Sequence, residues 1–439
     1  MVLNVNYLNT NNYFIICDSY ISIVFSHSSC RKQHTTVYQK LFRISHAEVE
    51  RNLSDEDFRK HYRMRREDFK YILEKIRKKL DRGFSYQARN CKMPHAAMTP
   101  DQMLGTLLKH LGGSLQHDND YHYKFHRSTI QKQLYRTMEI ICDEFPIPCF
   151  PFKDRNALQI MSKDWQRRSA GGLFTSCVGA FDGYLLRISK ACVHGDKVTN
   201  PQKYYCRKGF YAVNCQVCCD AHRRVTWMSL SHPGACPDVT AFKQSVMFRA
   251  MEHGLLPHEF YFIGDNAYPP SNQMLTPFNS YGLKKDPRKR DSYNFYLSQL
   301  RINIECVFGI LVNRFPILQR SLKCRLLERA ILTFRTCVVL HNILVTRHLN
   351  TFKKSCDDST RLVQVPNHKI VKPKFVEVPG VDETNIDDLT NLFQTHMGLT
   401  QSHVPTSDRR EQYVQKIHNQ GYVRPKITRY QRRSMQLCN

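Results

Sequence analysis

The chain of 439 residues lacks an uninterrupted run of about 18 apolar residues, the length that a membrane-spanning helix requires. Its apolar N-terminal stretch, residues 12–25, contains Asp18, has no basic segment before it and shows no clear small-residue cleavage site. That stretch therefore does not fit a secretory signal. We expect no membrane partner for this protein.

Acidic residues are scarce compared with basic ones. The chain has 38 Asp and Glu against 65 Lys and Arg, and its formal net charge at pH 7 is +27. Such a charge favours a polyanionic partner, and nucleic acid is the first candidate. Ribosomal, chromatin and heparin-binding proteins have the same surplus of positive charge. The class of protein must therefore be inferred from residues that could be catalytic.

The 17 cysteines are odd in number and scattered over a long chain, unlike those of a small disulfide-rich secreted protein. We expect reduced thiols and a location in the nucleus or the cytoplasm. Cys215 and Cys218 form a CxxC pair beside Cys219, but no second clear CxxC or paired His accompanies it. Because residues three apart in a strand face opposite sides, the spacing disfavours structural zinc.

The first third of the chain has a helical pattern. Residues 1–48 form a leader without a clear period, and residues 49–145 place apolar side chains at helical spacing. Thr99 and Pro100 predict the start of one helix, Gly112-Gly113 its end, and Ser128 the cap of the next. This is the layout of a helix-turn-helix that binds DNA, and equally of a helical bundle packed on the next domain.

Beyond a proline-rich linker and helix at residues 146–176, the period changes to that of strands. Four strands are predicted over residues 177–188, 211–219, 225–230 and 260–264, and helices over 239–252, 295–314 and 326–344. This order predicts an α/β domain at residues 177–345, a mixed sheet flanked by helices. Residues 346–439 form a basic polar tail, predicted to be largely disordered apart from a short helix over 386–397.

Three carboxylates occupy unusual places in these elements. Asp182 interrupts an apolar strand, Asp265 ends the fourth strand, and Glu305 lies in an apolar helix with Arg301 one turn earlier. A buried carboxylate is costly unless it is paired, and hard oxygen ligands suit Mg²⁺ or Mn²⁺. Each acid also has a simpler interpretation: a turn or cap residue, a turn initiator, and an ion pair with Arg301.

The strings around these acids resemble the nuclease subunit of the PIF/Harbinger transposases and the Harbinger-derived nucleases of animal genomes. The resemblance runs in the family's order over about residues 177–344 and is less distinctive in the upstream helices. The strings that carry it are Val178–Gly183, Tyr205–Gly209, Asn214–Asp220, His232–Gly234 with Asp238 and Phe242, Gly264–Pro269, Leu275–Pro277, Arg301 with Ile304-Glu305 and Phe308-Gly309, and Leu340–Asn342.

The resemblance implies an RNase H-like fold with an Asp-Asp-Glu set of Asp182, Asp265 and Glu305. It further implies a divalent cation, DNA strand cleavage with strand transfer, a Myb-like protein partner and action in the nucleus. Asp238 follows Pro237 at a helix start, where capping explains it, and we interpret it as a supporting residue, like Arg301. An oligomer is compatible with this picture.

The sequence departs from the family's pattern at three positions beside the acids. Tyr184, Leu297 and Cys306 replace polar residues that are frequent there, and such losses could weaken catalysis. A second hypothesis is therefore a catalytically inactive, domesticated DNA-binding or scaffold protein on the same fold. A hydrolase of small phosphoesters is a third.

Two basic segments could contact DNA phosphates, and a solvated charged loop is the alternative for both. In the first, Arg207 and Lys208 follow Tyr204-Tyr205, aromatic residues that either stack on bases or pack in the core. The second lies between Asp265 and Glu305 and could also be a localisation signal; its basic residues are Lys284, Lys285, Arg288, Lys289 and Arg290.

Overall fold

A computed structural model of the chain describes residues 45–82, 97–114, 123, 125–194, 198, 200–357 and 409–425. These residues comprise the N-terminal helices, the predicted α/β domain and one helix near the C-terminus. Nearly all of the predicted leader lies outside the described residues, and so does the helix predicted over residues 386–397.

Within the described part of the chain, five helices lie before residue 146. They are α1 (His46–Arg51), α2 (Asp55–Tyr62), α3 (Arg66–Asp81), α4 (Pro100–Leu111) and α5 (Arg127–Glu144). The start of α4 is fixed by a capping box, in which the Thr99 hydroxyl accepts from the Gln102 backbone N–H and the Gln102 side chain accepts from the Thr99 N–H. The predicted cap of α5 was Ser128, but His126 takes that place and its ring accepts from the Ser128 backbone N–H.

Helix α4 is buried along nearly its whole length, and α5 packs against both α4 and the last long helix of the α/β domain. A buried ion pair reinforces this join: the carboxylate of Asp68 on α3 lies 2.5 Å from Arg347 Nε and 3.2 Å from Arg65 Nε. The N-terminal helices therefore form one packed layer with the domain that comes after them. DNA binding by these helices stays a prediction. The exposed N-terminal turn of α5 is the part that could contact DNA.

Helix α6 (Arg155–Arg168) leads into a five-stranded sheet. The strands are β1 (Cys177–Arg187), β2 (Ala212–Cys219), β3 (Val225–Pro233), β4 (Tyr261–Ile263) and β5 (Met274–Leu275), in the order β3-β2-β1-β4-β5. Strands β1, β2 and β3 are antiparallel, whereas β4 and β5 run parallel to β1. The mixed sheet flanked by helices confirms the predicted α/β class and is consistent with an RNase H-like fold; the sequence pattern did not indicate β5.

Helices cover both faces of this sheet. The remaining ones are α7 (Lys190–Val193), α8 (Asp238–Lys243), α9 (Val246–Glu252), α10 (Ser280–Leu283), α11 (Pro287–Arg314), α12 (Leu327–Asp357) and α13 (Arg409–Asn419). The predicted helix over residues 239–252 is two helices, because the Ser245 side chain caps a new start by accepting from the Phe248 N–H.

The strand alternation separates two apolar clusters. On one side, the front face, Ala180 and Leu186 of β1 pack with Ile304 of α11, and the Tyr184 ring stacks on Phe334 of α12. On the other side, the back face, Phe181 contacts the rings of Phe242 on α8 and Phe262 on β4. The acidic residues are divided between these two faces.

Two described helices, α11 and α12, are long and apolar enough by length and composition alone to cross a membrane. Both pack within the folded domain: α11 contacts β1 and β2, and α12 contacts α5 and β3. A core helix of this length has the same composition, so this finding is weak evidence for a membrane span.

Candidate active site

The register of β1 and β4 brings Asp182 and Asp265 together. These strands are parallel, with Ala180 opposite Ile263, and each acid follows that pair by two residues. The charge of Asp265 raises the pKa of Asp182, so the two carboxylates lie within electrostatic range of each other. Both Ala180 and Ile263 belong to the front-face cluster, and side chains two apart share a face. Since β4 ends at Ile263, Asp265 opens onto the carboxyl edge, where its Oδ1 accepts from the Ala267 N–H at 2.9 Å.

Asp182 is the electrostatically strained member of the set. The pKa of its carboxyl is raised from 3.8 to about 6, mainly by burial and in smaller part by the charges of Asp265 and Glu305. The Gly183 backbone N–H and Arg301 act in the opposite direction and limit this rise. The Gly183 N–H donates to Asp182 Oδ1 at 2.8 Å. The fold thus holds a carboxylate where it lacks enough positive charge to balance it.

Glu305 reaches the same region from α11 but is already paired. Its Oε1 lies 2.6 Å from an Arg301 guanidinium nitrogen one turn earlier, and its side chain is 46% exposed. The simple ion-pair interpretation of Glu305 therefore describes the structure as it stands. Both residues nevertheless act electrostatically on Asp182, so the helix brings Glu305 within electrostatic range of Asp182.

Asp238 lies on the other side of the sheet. A Cβ added at Gly183 would meet Asp238 Oδ1 at 2.3 Å, and Gly183 faces away from its neighbour Asp182 because strand side chains alternate. The capping explanation of Asp238 was wrong: α8 is preceded by Pro237 and shows no side-chain cap bond. Instead, Asp238 Oδ1 accepts from Asn214 Nδ2 and Gln216 Nε2, each at 2.9 Å.

This back-face network continues inward. Gln216 Oε1 accepts from the buried Tyr268 hydroxyl at 2.6 Å, and Gln216 Nε2 also donates to Asn214 Oδ1 at 2.8 Å. Tyr268 follows Asp265 in the same turn, so the network links the Asp238 side chain to the segment that carries Asp265. Sequence reasoning gave Asn214, Gln216 and Tyr268 no role, although all three lie in the family-like strings.

The described residues contain no group of three His, Cys, Asp or Glu side chains close enough to hold a metal ion as they stand. The carboxylates of Asp182 and Asp265 are of the donor type that divalent cations prefer, whereas Glu305 is paired with Arg301. The CxxC cysteines are buried on opposite faces, Cys215 in the front cluster and Cys218 in the back one, and burial raises the pKa of both thiols.

The predicted DNA-contacting residues divide into two groups. Arg207, Lys208, Lys284, Lys285 and Arg288 are exposed, and Lys289 is half-buried and pairs with Asp286 at 3.4 Å. Arg290 is a correction: it is buried, donates to the Gly282 carbonyl and to Glu411 of α13, and stacks on Phe278. Because its charge is satisfied inside the protein, Arg290 is a structural residue rather than a surface contact.

The family-like string Leu340–Asn342 is also structural. His341 Nε2 bonds the Arg223 carbonyl at 2.8 Å, and Asn342 pairs with both backbone groups of Val225 at 2.8 and 2.7 Å. These contacts fasten the β2–β3 turn, where Arg223 has a left-handed φ of 67°, to α12. The string thus holds the sheet rather than adding to the acidic site.

Comparison with known proteins finds similarity over the region that holds this site. Residues 181–342 match the model of the DDE superfamily endonuclease domain. The chain is 29% identical over 157 residues to "Putative nuclease HARBI1" of Rattus norvegicus, and 28% and 27% identical to the Bos taurus and Homo sapiens proteins of the same name.

These alignments cover 35% of this chain and 44% of each relative, so the chain matches less than half of the length of those relatives. No solved structure matches the chain. The predicted relation to the Harbinger-derived nucleases is confirmed for the domain, and the roles of single residues stay predictions.

Proposed function

We propose that the protein is a metal-dependent endonuclease of Harbinger type that cuts DNA phosphodiester bonds. The observation that carries this proposal is that Asp265 and Glu305 both act electrostatically on the buried Asp182, within the region that matches the DDE superfamily endonuclease model. The three acids are 83 and 40 positions apart in the sequence, so local structure cannot bring them near one another. The sheet and α11 do so.

Asp182 and Asp265 are the residues we assign to hold a divalent cation, Mg²⁺ or Mn²⁺. The raised pKa of Asp182 fits this role, since an excess of buried negative charge is what a bound cation would neutralise. When bound, such ions activate a water and stabilise the leaving oxygen in an in-line displacement. Glu305 completes the set by exchanging Arg301 for the cation.

Arg301 then has a definite supporting task in this proposal. Its guanidinium, 23% exposed, would be available to a DNA phosphate if Glu305 held a cation in place of the ion pair. Asp238 supports the site from the back face by holding Asn214 and Gln216. The exposed Arg207, Lys208, Lys284, Lys285 and Arg288 are the proposed contacts to the DNA backbone.

The experiment is a nicking assay on supercoiled plasmid with Mn²⁺, comparing the parent chain with Asp182→Asn and Asp265→Asn. Asp143→Asn, an exposed acid on α5, is the matched control. We expect both site variants to lose metal-dependent nicking and the control to keep it. Equal nicking by the parent and the two site variants would overturn the proposal.

A catalytically inactive DNA-binding protein is the second candidate, favoured by the Arg301–Glu305 ion pair that already satisfies the third acid. It would bind DNA with a strong salt dependence and cut no substrate with any divalent metal. Action in the nucleus, a Myb-like partner and assembly into an oligomer are further parts of the proposed function. They derive from the family resemblance.

A further inference from the structure

A cleft of about 480 Å³ lies beside the turn that follows β4, the turn that also carries Asp265. Asn266, which follows Asp265 directly, forms part of its wall. The opposite walls come from α10, from the start of α11 and from the first turn of α13. The lining residues that matter for binding are Asn266, Phe278, Tyr281, Lys285, Arg410 and Glu411.

The cleft combines an aromatic ring with positive charge. Tyr281 is 81% exposed, the most exposed of the large apolar side chains in the described part, and Lys285 lies one turn further along the chain. Arg410 places its guanidinium 4.6 Å from the centre of the Phe278 ring. Tyr281 therefore offers an open ring face to a ligand in the same lining that carries the positive charges of Lys285 and Arg410.

The acidic residue of the cleft is already neutralised. Glu411 pairs with the buried Arg290, whose guanidinium also stacks on Phe278 at 4.4 Å from the ring centre. The lining holds three basic side chains, Lys285, Arg290 and Arg410, against one acid, Glu411. The remaining net charge of the lining is positive, which suits an anionic group.

We propose that this cleft binds one unpaired nucleotide of the DNA, with its base stacked on Tyr281 and its phosphate between Lys285 and Arg410. Aromatic rings beside basic residues are the usual means of holding single-stranded nucleic acid. A space of this size lies within the roughly 300–1,000 Å³ of small-molecule sites and is too small for a duplex. This inference rests on the proposed function, because it places the nucleotide beside the bond to be cut.

The cleft also gives the C-terminal helix a task. Helix α13 is joined to the domain by the Arg290–Glu411 pair, by Arg409, which donates to the His258 carbonyl, and by the Tyr413 hydroxyl, which donates to the Thr175 carbonyl at 2.6 Å. Without this helix the Arg410 wall would be missing. The sequence stretch assigned to a disordered tail thus supplies one side of the proposed nucleotide site.

The test measures DNA binding without catalysis, on the full chain carrying Asp182→Asn. The probes are a short blunt duplex and the same duplex with a single-stranded extension that contains 2-aminopurine, whose fluorescence reports stacking. Tyr281→Ala is compared with Tyr281→Phe, which keeps the ring, and Lys285→Gln with Lys243→Gln, an exposed lysine on α8 at the back face.

We expect the extended duplex to bind more tightly than the blunt one. Tyr281→Ala should weaken only the extended duplex, by about 5- to 100-fold, the effect of losing one base–aromatic stack. Tyr281→Phe should keep both the affinity and the 2-aminopurine quenching, and Lys285→Gln should weaken binding more than Lys243→Gln.

Equal binding of the two probes, unaffected by Tyr281→Ala, would overturn the nucleotide site while leaving the endonuclease proposal to its own nicking assay. Binding of neither probe would overturn both. A loss of quenching in Tyr281→Phe as large as in Tyr281→Ala would show that the hydroxyl rather than the ring matters, and would likewise contradict the stacking proposal.

Discussion

The two faces of the sheet treat their carboxylates in opposite ways. On the back face, Asp238 accepts two amide hydrogen bonds and lies in a network that ends at a buried tyrosine. On the front face, Asp182 has a single backbone donor and two acidic neighbours, and its pKa is raised to about 6. The polar groups of the back face thus satisfy one another without a ligand. The front face, by contrast, holds negative charge that a bound cation could balance.

The largest expected effect is the loss of DNA cleavage on replacing an acid of the front face. The same replacement on the back face tests whether the two faces differ. Asp265→Asn removes a proposed cation ligand while its side-chain oxygen can still accept from the Ala267 N–H, so nicking should fall by at least ~100-fold with little change in folding. Asp238→Asn, on the back face, should keep most activity because its oxygen still accepts from the two amides. A plasmid-nicking time course with Mn²⁺ measures both; similar losses in the two variants would remove the distinction.

For the free energy of unfolding we expect the opposite: replacing Asp238 on the back face should cost stability, whereas replacing Asp182 on the front face should add it. Asp238→Ala leaves the Asn214 and Gln216 amides without their acceptor, and we expect the free energy of unfolding to drop by about 2–3 kcal/mol. Asp182→Asn removes a buried charge and should raise that free energy in metal-free buffer at pH 8 by about 1–3 kcal/mol. Urea unfolding followed by tryptophan fluorescence measures both values. A destabilised Asp182→Asn would contradict the strained-carboxylate account.

The carboxyl of Asp182 should also make the free energy of unfolding depend on pH. Because the pKa of Asp182 is raised from 3.8 to about 6, the native state holds a proton between these values that the unfolded state has released. The metal-free protein should therefore lose up to about 3 kcal/mol of stability as pH rises from 4 to 6, from this group alone. Subtracting the pH profile of Asp182→Asn from that of the parent isolates the contribution, and a flat difference would contradict it.

The smallest expected effect concerns the third acid. Arg301→Ala releases Glu305 and removes a positive charge from the front face, so Mn²⁺ should bind more tightly, by roughly 3- to 10-fold or up to about 1.4 kcal/mol. Arg301→Lys, which keeps the charge, serves as the matched variant and should bind Mn²⁺ as the parent does. Calorimetric titration measures these affinities; weaker binding by Arg301→Ala would show that the arginine does not compete with the cation.

Much of the fold was predictable because it depends on local signals. The capping box at Thr99, the glycines after α4 and the apolar runs of β1 to β4 gave bounds within a few residues of those observed. Strand β5 has only two residues, too few to show a period. Helix α13 was missed because its apolar residues, Tyr413, Val414 and Ile417, are few among charged ones and gain meaning only by packing on the domain.

The candidate site was predictable in composition but not in arrangement. The strings around Asp182, Asp265, Glu305 and Asp238 carried the family resemblance, and the matched domain bears it out. These strings did not distinguish residues that line the site from residues that stabilise the fold around it. His341 and Asn342, which bond the backbone of the β2–β3 turn, are of the second kind. The strings also could not show that Arg290, in a dense basic segment, is buried against Glu411.

The sequence by itself determined which residues are available: the scattered acids, the surplus of basic side chains and the alternation of strands and helices. Only the tertiary structure decided which acids share a face, since a shift of one residue in the register of β1 and β4 would turn every side chain to the other side. The tertiary structure brings Asp265 within electrostatic range of Asp182 and places Asp238 against Gly183, on the back face. Burial, which raises the pKa of Asp182, is likewise set by packing between segments far apart in the chain.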